Sequence, residues 1–149
     1  MKRLILSAAL VGGLVLAWSM GRVQGQSGND NDKVAFVEAS KANFTAMPGG
    51  SGGVTAAPIR GDATAGAFAA FTKFPPGYDA GWHTHTNAVS LVVIKGAYLY
   101  KDEAGEKRVG PGDYLYVPGG HKHWSGGDKK EGALFYDESS GKFDLIPAK

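Results

Sequence analysis

The 149-residue sequence has no cysteine. That absence removes thiol catalysis, disulfides and thiolate metal sites together. Phosphate-binding loops and dinucleotide fingerprints are also missing. Gly49-Gly50-Ser51-Gly52-Gly53 matches the letters of a nucleophile elbow. Such an elbow needs a strand before it and a helix after it, so Ser51 in a glycine run is rejected as a nucleophile. No internal repeat is visible, and no helical 3.6-residue period persists, apart from a weak one over Glu38 to Ala46.

There is one long apolar run, Leu4 to Trp18, preceded by Lys2 and Arg3 and followed by Val23-Gln24-Gly25. Positive start, apolar segment and small-residue site, in that order, describe a bacterial secretory signal peptide over residues 1–25. An uncleaved anchor is the other reading, because Leu4 to Met20 stands at the short edge of what spans a bilayer. A lipoprotein is excluded, since no cysteine can carry the lipid. The expected location is therefore periplasmic or secreted, with no stable membrane association once the leader is removed. Loss of residues 1–25 takes Lys2, Arg3 and Arg22 with it, leaving 13 of the 16 basic residues against 14 acidic ones. A nucleic-acid partner then has no electrostatic footing.

The rest of the chain is rich in short β signals. Residues 26–33 (QSGNDNDK) read as a flexible leader, and residues 34–149 as one domain. Val34 to Val37 offers a first short strand. From Gly66 onward, apolar or aromatic runs (AFAAFTKF, AVSLVVI, AYLY, DYLYV, ALFY) alternate with PPG, EAG, GPG, PGG and SGG. That cadence of short strands and turns indicates an all-β sandwich or barrel.

The four histidines fall in two pairs, His83 and His85 in GWHTHT, and His121 and His123 in GGHKHW. Residues two apart on a strand share a face, so each pair can aim both rings into one pocket. Neutral imidazole is a common ligand for zinc, copper, nickel and iron.

These motifs resemble those of the cupin superfamily. Gly77, His83, His85 and Gly96 stand at the spacing of the first cupin motif, and Gly112, Pro118, Gly120 and His123 at that of the second. Val89 takes the place of the first motif's glutamate, and Gly127 that of the second motif's asparagine. The segments PIRGDATAGAFAAFTKFPPGYDAGWHTHT and ALFYDESSGKFDLIP are similar to the ends of small secreted bacterial cupins. The resemblance implies a double-stranded β-helix, or jelly roll, with a divalent transition metal held by His83, His85 and His123. His121, Val89, Trp82 and Trp124 are expected in a second shell or at the pocket rim. Val89 cannot coordinate, which leaves three neutral ligands and open positions. That set suits zinc, iron, nickel or copper over manganese or calcium.

Three functions stay open on this reading. One is a metal-dependent enzyme acting on a small molecule, with oxygenase- or isomerase-like chemistry and His121 or Asp79 as its acid or base. The second is a non-catalytic periplasmic binding or sensing module using the same pocket. The third is a barrel whose histidines are relics. A homodimer is a further expectation, with the aromatic strand residues supplying its interface.

Overall fold

The computed structural model describes residues 34–47 and 52–149. The leader readings over residues 1–25 and 26–33, and Ser51, lie outside the described residues. Eleven strands are present among those described: β1 (Thr45–Ala46), β2 (Thr55–Gly61), β3 (Phe68–Phe74), β4 (Asp79–Thr84), β5 (Val89–Gly96), β6 (Tyr98–Asp102), β7 (Gly105–Val109), β8 (Tyr114–Val117), β9 (His123–Gly127), β10 (Ala133–Ser139) and β11 (Ile146–Pro147). They form two antiparallel sheets, ordered β1-β2-β3-β10-β5-β8 and β11-β4-β9-β6-β7. The fold is the expected all-β jelly roll.

Period-2 alternation accounts for the layering. In β5, Val89, Leu91 and Val93 are buried while Ser90 and Val92 are only half-buried. In β10, Ala133, Phe135, Asp137 and Ser139 turn inward. Leu91, Val93 and Phe135 from one sheet meet Tyr98, Tyr100 and Val109 from the other in a single core. Burial of these side chains contributes roughly 1.5–3 kcal/mol each for the larger ones. β7 (GEKRV) was not visible as an apolar run because it is a charged edge strand, whose polar face discourages pairing with other chains.

Two local expectations fail. Val34 to Val37 forms no strand, and Val34 and Phe36 are 99% and 84% exposed. β propensity without a partner strand leaves the backbone unpaired, and no edge among the described residues takes this segment up. Glu38 to Ala46 is not helical either. It makes one turn, with the Lys41 amide donating to the Glu38 carbonyl at 2.9 Å, and then enters β1.

Gly77, Gly96, Gly112 and Gly120 all have positive φ, as a turn role requires. Gly96 is the tightest of them. At φ +72°, a Cβ there would stand 2.2 Å from the carbonyl oxygen of Gly132. Backbone cannot yield as a side chain would. Gly96→Ala is therefore expected to destabilise the fold by about 3 kcal/mol or more, read by urea denaturation. A loss under about 1 kcal/mol would show that the β5–β6 corner adapts freely.

Candidate metal centre

β4 and β9 pair with His83 opposite His123 and Trp82 opposite Trp124. Alternation sends the two histidines into the barrel and the two tryptophans to its outside. His85 comes immediately after β4 and joins the same interior cluster. Ring centroids lie 4.3 Å apart for His83–His123, 4.9 Å for His83–His85 and 5.3 Å for His85–His123. One nitrogen from each ring lies within 4.8 Å of the others, and all three residues are buried.

The backbone fixes how the rings present themselves. His83 Nδ1 donates to the Gly81 carbonyl at 2.8 Å, and His123 Nδ1 to the His121 carbonyl at 3.0 Å. His85 Nδ1 donates to the Asp144 carbonyl. A carbonyl only accepts, so each Nδ1 carries the hydrogen and each Nε2 keeps its lone pair. His123 Nε2 is buried with no hydrogen-bond partner among the described residues. Burial lowers the pKa of all three rings, that of His123 to about 4, so they are neutral near pH 7. Neutral, oriented and desolvated lone pairs are what a divalent transition ion needs. The orphaned Nε2 is otherwise a cost with no return, and the residues present fit such an ion.

A second layer supports the ligand candidates. Tyr100 stacks on His123 at 5.5 Å and 19°, and its hydroxyl donates to Asp102 at 2.9 Å. Asp144 accepts from the Thr86 amide at 2.8 Å and from the Thr86 hydroxyl at 2.5 Å, which anchors the carbonyl that orients His85. Phe143 lies 5.2 Å from the His85 ring. The tail segment around Asp144 thus closes one side of the centre. Its sequence, KFDLIP, carries no motif that would have announced this.

A cavity of about 50 Å³ adjoins His83 and His85. Its walls are mostly apolar, with Leu91, Phe135 and Phe143 among them, and Val89 stands in the wall where the cupin glutamate would be. Ser90, next to it, faces outward and accepts from the Tyr114 hydroxyl at 3.1 Å. One carboxyl does face the cavity, Asp137, which no sequence motif marks. Its signal was parity: it follows Ala133 and Phe135 on the inward side of β10.

The expected rim residues divide. His121 is not one of the three clustered rings: its Nε2 lies 3.2 Å from Asp102 Oδ2, its ring stacks on that of His123 at 6.5 Å, and its carbonyl accepts from His123 Nδ1. Trp82 and Trp124 do not reach the histidine pocket. They line an outer groove of about 520 Å³ with Leu99, Lys101, Glu106 and Arg108. Asp79, considered as an acid or base, belongs to that outer face, where it accepts from Trp124 Nε1 at 2.6 Å.

Comparison with known proteins agrees with the fold. The ChrR cupin-like domain family matches residues 32–140, and no curated protein matches the sequence. The polyketide cyclase RemF from Streptomyces resistomycificus has a similar fold, with a TM-score of 0.63 at 15% identity over 78% of this chain and 87% of that one. A cupin-like protein from Ralstonia eutropha gives 0.63 at 26% identity over 78% and 79%. The complex of Rhodobacter sphaeroides SigE with the anti-sigma ChrR gives 0.54 at 19% identity over 68% and 51%.

Proposed function

The chain belongs to the ChrR cupin-like family, and from that premise we propose that it is an exported protein whose barrel holds one divalent transition metal ion and acts on a small molecule beside it. His83, His85 and His123 would hold the ion through Nε2. The observation that carries this reading is the buried Nε2 of His123, which has no hydrogen-bond partner among the described residues and belongs to a ring whose nitrogen lies within 4.8 Å of one from each of His83 and His85. Once bound, the ion would supply Lewis acidity toward a ligand oxygen. The protein does the rest. Gly81, His121 and Asp144 carbonyls hold the rings, burial keeps them neutral, and Val89 adds no charge to the site. The apolar walls keep bulk water from the ligand, and the cavity's size restricts that ligand to a few non-hydrogen atoms. Export rests on the signal-peptide pattern of residues 1–25.

A second reading, binding or sensing without turnover, is favoured by the fold's presence in the SigE–ChrR complex. The test is metal content by plasma mass spectrometry on untagged protein from a periplasmic extract, with His83→Ala in parallel. About one equivalent of zinc, iron, nickel or copper is expected, falling below about 0.1 in the variant. Wild type below about 0.1 equivalent after incubation with each metal would sink the metal site. Recovery of the chain only from the cytoplasm would sink export. Turnover of a panel of small oxygenated compounds by the metal-loaded protein decides between the two readings.

A further inference from the structure

Asp137 stands apart from the histidine cluster yet opens on the same cavity. It sits on β10, in the interior of the six-stranded sheet, and is 3% exposed. The Thr72 hydroxyl, on neighbouring β3, donates to Asp137 Oδ1 at 2.7 Å. His83 and His85 belong to the opposite sheet and its continuation. The cavity therefore has polar groups on both walls, Asp137 and Thr72 on one and His83 and His85 on the other, with Tyr78, Tyr98, Ser125 and apolar side chains making up the rest. No lysine or arginine among the described residues lines it. An apolar residue at position 137 would simply complete the wall that Leu91 and Phe135 begin.

We propose that Asp137 and Thr72 form a second polar pole of the cavity, where the carboxyl carries an exchangeable proton and donates it in a hydrogen bond to an oxygen of a small, uncharged carbonyl or hydroxyl compound. The other end of that compound faces the histidines, and this part alone rests on the proposed metal site. A buried carboxyl with no cation beside it is costly to ionise, so it keeps its proton and acts as a donor. Burial pushes Asp137 up to about 7, and the Thr72 hydrogen bond offsets part of that rise. The other titratable groups facing it are Tyr78, Tyr98, His83 and His85, with Tyr136 on its own strand. Burial holds Tyr98 and Tyr136 at about 12 and pushes the two imidazoles below their usual value. Asp137 is thus the carboxyl in the cavity poised near neutrality, as a proton donor and acceptor should be.

Infrared difference spectroscopy on the full chain, metal-free and zinc-loaded, tests this with 2-butanone as the probe. A carboxylic-acid carbonyl band is expected at about pH 5–6 in wild type, absent in Asp137→Asn and fading with a midpoint near 7. Thr72→Val should move that midpoint upward, because the lost hydrogen bond favoured the carboxylate. Butanone should shift the acid band to lower frequency. Absence of the band at about pH 5–6, or a band that butanone leaves unmoved in both metal-free and zinc-loaded protein, would overturn the proposal. Failure to bind zinc, with the band and its response intact, would overturn the metal site and leave this one standing.

Discussion

Zinc at about a thousand times the wild-type dissociation constant is expected to raise the melting temperature of the wild-type chain by roughly 15 °C and that of His123→Ala by only about 5 °C. An ion at about a thousand times its dissociation constant adds about 4 kcal/mol to stability. In a domain of this size each kcal/mol moves the midpoint by about 4 °C. If about 10–16 kcal/mol of zinc binding is shared by four ligands in a structural site, one imidazole accounts for about 3 kcal/mol, or ~10²-fold in affinity. His123 is the residue to remove because its Nε2 has no other partner among the described residues. Without metal, His123→Ala should itself be less stable by about 2 kcal/mol, since the ring stacked on Tyr100 leaves a hole. His121→Ala is the control: its ring meets Asp102 outside the cluster, so the zinc response should survive. An equal zinc response in wild type and His123→Ala would remove this histidine from the site.

The second large effect concerns Asp137→Asn, which should become more stable than wild type as pH rises. Asp137 is raised in the folded chain from 3.8 to about 7. Such a group contributes stability that is complete below pH 3.8 and is lost as pH rises through the folded value. A span of about three units corresponds to ~4 kcal/mol, present at about pH 4 and gone by about pH 8. His83, His85 and His123 act in the opposite sense. Their lowered values contribute stability above the ordinary 6.5 that is lost as pH falls below it. Asp62, Asp102, Asp128 and Asp144, held low by hydrogen bonds, contribute above 3.8. All of these are present in both proteins, so the difference between variant and wild type isolates Asp137. Urea denaturation at about pH 5, 7 and 8.5 should show that difference growing by a few kcal/mol. A flat difference would mean that Asp137 stays ionised in the fold.

Both predictions depend on the same rule, that neighbours on a strand face opposite ways, and the rule explains what the sequence could tell. Two residues apart, His83 and His85 had to share a side, and the second motif's His123 had to meet them if the strands paired. Adjacency misled for the tryptophans, because Trp82 and Trp124 are one residue from ligand candidates and therefore on the far side of the sheet. Position 89 was legible as a cavity position without its usual carboxylate. Asp137 was not legible, since one acidic residue in ALFYDES has no partner in sequence. Its inward direction follows from the unbroken alternation of β10, but nothing in the sequence says that this stretch of the strand lines the cavity. Asp144 was hidden for another reason: it acts on His85 through a backbone carbonyl, and any residue supplies one.

The two tryptophans displaced from the pocket have a use of their own. The sequence holds three tryptophans, and one of them, Trp18, falls within residues 1–25. A chain trimmed of that leader would owe its entire indole emission to Trp82 and Trp124, side by side on the outside of β4 and β9. Those two strands carry His83 and His123 on their inner sides. The protein would thus carry an optical gauge on the back of its three-histidine cluster, sensitive to any change in how the two strands meet, and filling of the barrel could be followed by light without a label.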